Sequence, residues 1–253
     1  MLRRELEYFF GAIRFFTRLP VPAWVGHSAE ALNHSARWFP AVGLLVGGIG
    51  ALVYLGALQL WAQPVAVLLS MAATIYATGA FHEDGLADTV DGLGGGWDKL
   101  RILEIMKDSR VGSYGVVAMV LALLGKFTLL AALDSALVPF ALLAGHALSR
   151  FCAVVLLASL DYVREDLQSK AKPLATRLSG GALLFAALFG LGTLALLPIA
   201  KALAGCALAG LVTLWLAAKF KRWLGGYTGD CLGATQQVAE IAFYLGLLAQ
   251  LPG

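Results

Sequence analysis

Long apolar stretches alternate with shorter polar segments along most of the chain. A helix needs about 20 apolar residues to cross a bilayer. Seven stretches reach or approach that length, and they occupy residues 38–61, 64–81, 113–133, 135–160, 181–200, 202–218 and 231–251. The pattern predicts an all-α fold, a polytopic membrane helical bundle with about seven spans.

The N-terminal segment follows a different pattern. Leu2, Leu6, Phe9, Ile13 and Phe16 recur at spacings of 4, 3, 4 and 3 residues, which places them on one face of a helix. Charged residues fill other positions and interrupt any apolar core of a signal peptide. This pattern predicts an amphipathic helix in the membrane interface. A helix packed against protein would show the same pattern.

The composition supports a membrane protein. Apolar residues make up 59% of the chain and the mean hydropathy is +0.78, whereas soluble domains have about 45–50% apolar residues. The net charge is only +3, and no basic run is mixed with aromatic residues, so a nucleic-acid partner is not expected. No internal repeat is visible, and residues 1–253 are predicted to form a single membrane domain. The oligomeric state is left open.

The three cysteines, Cys152, Cys206 and Cys231, are far apart and lie in or beside apolar runs. No CxxC pair is present, so neither a zinc site nor a disulfide framework is indicated. We interpret all three as core residues.

Basic residues are distributed unevenly among the predicted loops. Sixteen of the nineteen lysines and arginines fall on one side of the predicted spans, and Lys201 alone falls on the other. Lys126 and Arg150 lie inside spans. Because cytoplasmic loops carry an excess of lysine and arginine, the N-terminus and the long polar loops are predicted to be cytoplasmic and the C-terminus external.

The acidic segment at 81–92, FHEDGLADTVDG, follows the second apolar stretch. If that helix continues, Asp84, Asp88 and Asp91 share one face. Like charges at this spacing, near a helix C-terminus, destabilise the helix, and a bound cation would relieve the repulsion. Carboxylates suit hard cations, so these three aspartates are predicted to bind Mg²⁺, with Mn²⁺ as an alternative. A solvated acidic loop would show the same charges.

Two further polar segments carry candidate chemistry. In MKDSRVGSYG, Lys107 and Arg110 would contact phosphate oxygens, and Asp108 would act as metal ligand or general base. In GGYTGDCLGA, glycines precede a helix start that can bind phosphate, and Asp230 would be a base or a metal ligand. Helix capping would explain Asp108 and Asp230 equally well.

Polar residues inside the apolar stretches are functional candidates. Arg150 is predicted to bind substrate phosphate, although snorkelling to the interface is an alternative. Lys126, His146 and Glu240 are interpreted as polar contacts between helices.

These three strings, in this order, resemble the cobalamin synthase family, the adenosylcobinamide-GDP ribazoletransferases. The similarity extends over nearly the whole chain, including RWFPAVGLLVGG. It implies a magnesium-requiring enzyme of the bacterial inner membrane that joins adenosylcobinamide-GDP to α-ribazole, or its 5′-phosphate, and releases GMP. The substrate names come from the resemblance alone.

We expect a direct displacement. A ribose hydroxyl would attack the phosphorus nearest the cobinamide while Mg²⁺, held by the three aspartates, neutralises the diphosphate. Lys107, Arg110 and Arg150 would hold phosphate oxygens, and Asp108 or Asp230 would accept the proton or hold a second metal.

Two other functions are compatible with parts of the pattern. Asp88-Thr89-Val90-Asp91-Gly92 matches the start of the D-x-x-D-G motif of CDP-alcohol phosphotransferases, but the Ala-Arg pair and the later D-x-x-x-D half are absent. A cation transporter would also use carboxylates, but near the bilayer midplane rather than at the end of a span.

Overall fold

The computed structural model describes residues 2–26, 29–164 and 178–250. Within these residues the chain forms helices joined by short loops, and the only β-type pairing is an isolated bridge between Tyr162 and Tyr227. The predicted all-α class is confirmed. The basic residues at 170, 172 and 177, which entered the charge count, lie outside the described residues.

Eleven α-helices are described. They are α1 (Leu2–Phe16), α2 (Ala29–Ser35), α3 (Phe39–Leu58), α4 (Gln63–Thr78), α5 (Phe81–Gly95), α6 (Lys99–Ile105), α7 (Ser113–Ala132), α8 (Val138–Ser159), α9 (Gly180–Gly192), α10 (Ile199–Leu224) and α11 (Gly229–Leu247). Short 3₁₀ turns precede α3 and follow α9. Each of the seven predicted apolar stretches therefore contains a helix.

By length and composition, fewer helices qualify as spans than the seven apolar stretches predict. Among the described helices, four are long and apolar enough to cross a membrane, namely the continuous segment Ala31–Leu58, α7, α8 and α10, and α4 with α5 would make a fifth. Helix α9 has 13 residues, shorter than a span. Helix α11 packs against α5, α8 and α10, so it can carry polar residues that a lipid-facing helix cannot. The predicted count of seven therefore exceeds the four or five helices that qualify.

The helices run alternately up and down, so the bundle has two distinct ends. One apolar cluster joins the starts of α3 and α11 to the ends of α8 and α10, and a second joins the opposite ends of these helices. Ile102, Met106 and Tyr227 belong to the first cluster. The polar segments 81–112, 161–164 and 225–230 therefore lie at one end of the bundle.

Helix α1 combines the two interpretations of its amphipathic pattern. Ala12, Ile13 and Phe16 are buried, and the Phe16 ring lies 4.4 Å from the Phe39 ring, centroid to centroid. Leu2, by contrast, is 75% exposed. The end of α1 packs on the bundle, whereas its first turn leaves an apolar surface uncovered, as an interfacial helix does.

A sharp bend separates α4 from α5. Gly79 and Ala80 both have left-handed backbone conformations, with φ of 65° and 59°, and the two helix axes differ by 85°. A side chain on Gly79 would be strained by this left-handed backbone and would displace the guanidinium of Arg18. In the interpretation from sequence, the acidic segment continues the preceding helix. The bend shows that it does not. Glu83 and Asp84 instead occupy the first turn of a new helix, where the helix dipole stabilises negative charge.

A buried polar network links α7, α8 and α11 in the middle of the bundle. Lys126 Nζ lies 3.2 Å from Glu240 Oε2, and His146 Nδ1 lies 3.7 Å from the same oxygen. The Tyr244 hydroxyl donates to Glu240 Oε1 over 2.9 Å. Gln237 donates to Glu83 Oε1 over 3.0 Å, which connects this network to α5. The predicted polar contacts between helices are confirmed for Lys126, His146 and Glu240.

All three cysteines are free, and Cys152 and Cys231 are buried. The interpretation of these two as core residues is confirmed, whereas Cys206 is only partly buried.

Candidate active site

The site is built where α5 crosses α11, and two glycines allow the close approach. A Cβ on Gly85 would lie 3.0 Å from the Asp230 carbonyl oxygen and 3.3 Å from Gly233 Cα. A Cβ on Gly233 would lie 3.2 Å from the carbonyl oxygen of His82. Because neither helix carries a side chain at the crossing, the aspartates of α5 come close to the first turn of α11.

Three carboxylates from the two helices form what we call the carboxylate cluster: Asp84, Asp88 and Asp230. Asp84 is exposed and Asp88 is half-buried. Burial, together with the negative charges of Asp230 and Asp84, raises the pKa of Asp88 to about 7. Burial also raises the pKa of Asp230, with Arg164 opposing and Asp84 adding to the rise. The three groups therefore repel one another when all are ionised, which favours a cation or a proton between them.

Arg164 supplies the counter-charge to this cluster. Its Nη2 lies 2.9 Å from Asp230 Oδ2 and donates to the Met106 carbonyl oxygen over 3.0 Å. The segment that carries Arg164 is held against Tyr227 by two backbone hydrogen bonds, from Val163 N to Tyr227 O and from Tyr227 N to Asp161 O. In the sequence, Arg164 contributes only to the number of basic residues in the predicted loops, and no local motif distinguishes it.

Asp91 lies on the same helix as Asp84 and Asp88, but its carboxylate is hydrogen-bonded to the backbone of α7. Its two carboxylate oxygens accept hydrogen bonds from the backbone N–H groups of Gly112 over 2.7 Å and Gly115 over 2.8 Å. Gly112 is the N-cap residue of α7, so Asp91 caps the start of that helix from across the loop. Metal ligation by Asp91 stays a prediction, and these hydrogen bonds favour a structural role instead.

Asp108 and Arg110 pair with each other on the surface. Arg110 Nη2 lies 2.7 Å from Asp108 Oδ2, and Arg110 Nε donates to the same carboxylate. The hydrogen bond from Arg110 lowers the pKa of Asp108 to about 2. A carboxylate with so low a pKa is a weak proton acceptor. Of the two predicted bases, Asp230 therefore suits proton transfer better than Asp108.

Two open clefts flank α6 at this end of the bundle. The first, which we call the basic cleft, encloses about 570 Å³, and its lining includes three bases, Lys99, Lys107 and Arg164, and one acid, Glu104. The second encloses about 500 Å³ and is lined by Asp91, Asp108 and Arg110 among others. Lys107 and Arg110, predicted to act together, thus face different clefts. Only the first cleft shares a residue, Arg164, with the ion pair at Asp230.

Arg150 lies elsewhere, in the interior of the bundle. Its side chain is buried, and its guanidinium donates to the carbonyl oxygen of His146 over 3.0 Å. A role for Arg150 in binding phosphate stays a prediction, but its burial places it in the core rather than on the loops.

The described residues contain no preformed group of three or more His, Cys, Asp or Glu side chains that could hold a metal ion. Mg²⁺ usually takes only one or two protein carboxylates and completes its shell with water and substrate phosphates. The exposed Asp84 and half-buried Asp88, four residues apart on one helix, fit this second mode of binding. Their position at the end of the bundle differs from the midplane site expected of a cation transporter.

Comparison with known proteins gives the family. The family model described as cobalamin-5-phosphate synthase matches residues 8–248. The chain is 48% identical over 270 residues to the adenosylcobinamide-GDP ribazoletransferase of a Polaromonas species, an alignment that covers 95% of each chain. Proteins of the same name in Shewanella woodyi and Vibrio cholerae are 49% and 47% identical, over 98% and 99% of this chain and 98% and 97% of theirs. No solved structure matches the chain. As its three motifs predicted, the chain belongs to the cobalamin-5-phosphate synthase family.

Proposed function

We propose that this protein joins adenosylcobinamide-GDP to α-ribazole, or to α-ribazole 5′-phosphate, and releases GMP. The names of its relatives support both substrates. The observation that carries the proposal is the carboxylate cluster beside the basic cleft, with Arg164 shared between them. Phosphoryl transfer needs a cation site and positive charge around the transferred group, and the carboxylates and basic residues at this end of the bundle would supply them.

The diphosphate would bind between the cluster and the cleft. Asp84 and Asp88 would hold Mg²⁺, which when bound neutralises charge on the diphosphate. Lys99, Lys107 and Arg164 line the cleft and would contact the non-bridging oxygens. Arg110 faces the neighbouring cleft with Asp108, so it would contact phosphate only if the diphosphate extended into that cleft.

Asp230 is the proposed proton acceptor. Burial raises its pKa, which makes its carboxylate a stronger base than an exposed aspartate. The ribazole hydroxyl oxygen forms a bond to the phosphorus nearest the cobinamide, and the bond from that phosphorus to the GMP oxygen breaks. The hydroxyl proton passes to Asp230, and GMP leaves with the electron pair.

The orientation in the membrane is part of the proposal. The polar segments 81–112, 161–164 and 225–230 lie at one end of the bundle, whereas Lys201, in the first turn of α10, lies at the other. The excess of basic residues at the first end supports a cytoplasmic site in a bacterial inner membrane. Reporter fusions should place residues 81–112 and 219–230 in the cytoplasm and the C-terminus outside. A cytoplasmic C-terminus would contradict this orientation.

Turnover by the purified protein tests the proposal directly. Full-length protein in detergent is incubated with adenosylcobinamide-GDP and α-ribazole, and GMP release is followed with Mg²⁺, with EDTA, and with Mn²⁺ added back. We expect GMP only when both substrates and a divalent cation are present. Full turnover in EDTA would overturn the metal requirement, and no GMP under any condition would overturn the reaction.

A further inference from the structure

A small apolar cavity lies beside the carboxylate cluster, enclosed by α1, α3, α5, α8 and α11. We call it the phenylalanine cavity because four of its lining residues are Phe15, Phe16, Phe39 and Phe81. Its free space is about 30 Å³, room for roughly two water molecules. Phe81 is 39% exposed, so the cavity meets the surface at this ring, and a ligand larger than two waters needs the ring to move.

Three polar side chains line this apolar space: His82, Arg150 and Gln236. Gln236 is hydrogen-bonded, whereas the other two each have a nitrogen without a partner. His82 and Arg150 line the cavity and are only 3% and 2% exposed. Among the described residues, His82 Nε2 and Arg150 Nε make no hydrogen bond. Native proteins leave few buried polar atoms unpaired. Two such atoms at one cavity therefore point to a ligand that carries a hydrogen-bonding group.

The shape of the lining favours a flat ligand. The His82 ring is stacked on the Phe16 ring, with centroids 5.2 Å apart and planes 15° from parallel. Phe81 packs edge-on against Phe16, with centroids 5.6 Å apart. Aromatic rings attract one another in stacked and edge-on arrangements, so a planar aromatic group entering here would meet ring faces and edges.

The cavity adjoins the proposed reaction site. Gly229 and Gly233 line it, and Asp230 lies between them in sequence. Phe81 lies one helical turn before Asp84 on α5. A ligand with its aromatic part in the cavity would therefore present an attached group to the carboxylate cluster.

We propose that the phenylalanine cavity binds the flat aromatic base of the ribazole substrate, with a base nitrogen paired to Arg150 Nε or His82 Nε2. The ribose, attached to that base, then extends towards Asp230. This inference rests on the proposed function and adds the subsite that recognises the attacking substrate. It also gives the buried Arg150 a role that does not require contact with phosphate.

Two substitutions in the full-length protein test the cavity. Phe81→Ala removes a ring from the lining, and Ala153→Leu fills the space from α8, where Ala153 lines the cavity. The Kd of α-ribazole is measured by its own fluorescence, without the second substrate, and KM is measured for both substrates.

We expect both variants to weaken α-ribazole binding about tenfold or more, equivalent to at least 1.4 kcal/mol. The KM of adenosylcobinamide-GDP should stay within about twofold of wild type, because the cavity does not line the basic cleft. Phe140→Ala is the matched control, since Phe140 is 40% exposed and lies at the start of α8, at the other end of the bundle.

The outcomes separate this inference from the proposed function. If wild-type protein releases GMP but both variants keep the wild-type Kd and KM for α-ribazole, the cavity is not the base site and the reaction still stands. Equal increases in KM for both substrates would also overturn the inference, because they indicate general damage. A lipid that stays in the cavity after purification and is not displaced by α-ribazole would assign the space to the bilayer instead. If α-ribazole binds in a Phe81-dependent way but no GMP forms, the cavity inference holds and the proposed reaction fails.

Discussion

The Nη2 atom of Arg164 lies 2.9 Å from Oδ2 of Asp230, and this ion pair joins the segment after α8 to the first turn of α11. Arg164 opposes the rise in the pKa of Asp230 that burial causes. Its removal should leave the Asp230 carboxyl protonated up to a higher pH.

We expect Arg164→Gln to shift the acidic limb of the pH profile of kcat/KM upward, because Asp230 must be ionised to accept a proton. Activity near neutral pH should fall, and more of it should return at alkaline pH. The profile is measured by GMP release between pH 6 and pH 9. An acidic limb in the same place as that of wild type would show that Asp230 is not the base.

Asp84→Asn and Asp88→Asn keep the size of the side chain and remove the charge needed for a hard cation. Each should lower kcat by about 10³-fold or more, some 4 kcal/mol of transition-state stabilisation, while the protein still folds. Asp98→Asn is the control, because Asp98 caps α6 through a hydrogen bond from Arg101 N over 3.1 Å and asparagine caps helices equally well. Wild-type turnover in both Asp84→Asn and Asp88→Asn would favour a solvated acidic surface.

Asp91→Asn should instead lower the melting temperature, since an amide has one acceptor oxygen for the two N–H groups that Asp91 binds.

The raised pKa of Asp88 makes metal binding and stability depend on pH. Its pKa is raised from 3.8 to about 7 in the folded protein, so the folded state retains a proton that the unfolded state releases. The stability from this group is complete below the ordinary pKa and is lost as the pH rises towards about 7. Without metal, the melting temperature should therefore be lower at pH 7.5 than at pH 5, and the difference should shrink in Asp88→Asn. The Mg²⁺ concentration for half-maximal activity should fall between pH 6 and pH 8, because protons compete with the cation. A Mg²⁺ requirement independent of pH would separate Asp88 from the metal.

Gly85→Ala should separate α5 from α11. The new methyl group would lie 3.0 Å from the Asp230 carbonyl oxygen, and both neighbours at the crossing are backbone. Both kcat and the melting temperature should fall. Gly125→Ala in α7 is the control, because a Cβ there meets nothing within 4 Å and alanine stabilises a helix interior by about 0.5–1 kcal/mol over glycine. Equal activity of the two variants would mean that the crossing is not closely packed.

The buried pair of Lys126 and Glu240 should matter for stability. The side chains are 7% and 0% exposed, and removal of one partner leaves a buried charge unpaired, at a cost of about 3–5 kcal/mol. Glu240→Gln should therefore lower the melting temperature in detergent, and the double variant with Lys126→Met should recover most of the loss. A double variant less stable than Glu240→Gln alone would show that the hydrogen bond from Lys126 Nζ to Gln237 Oε1, 3.1 Å long, outweighs the unpaired charge.

The sequence by itself determined the helical class, the approximate positions of seven helices and the family. A lipid-facing helix must be apolar over most of its length, so a continuous apolar stretch of about 20 residues marks such a helix in the sequence. The motifs were equally local, because the carboxylates and glycines that carry them are contiguous in sequence.

The tertiary structure decided which of these residues act together. The bend at Gly79 and Ala80 lies against Arg18, a residue about sixty positions earlier, and it placed Glu83 and Asp84 in the first turn of a helix rather than at the end of one. Asp91 turned to cap α7, and Arg164 joined Asp230 through a backbone pairing with Tyr227. Helix α11 could be polar because other helices surround it. Each of these outcomes depends on which helix face meets which partner, and that is settled by close packing between distant segments rather than by the pattern within any one of them.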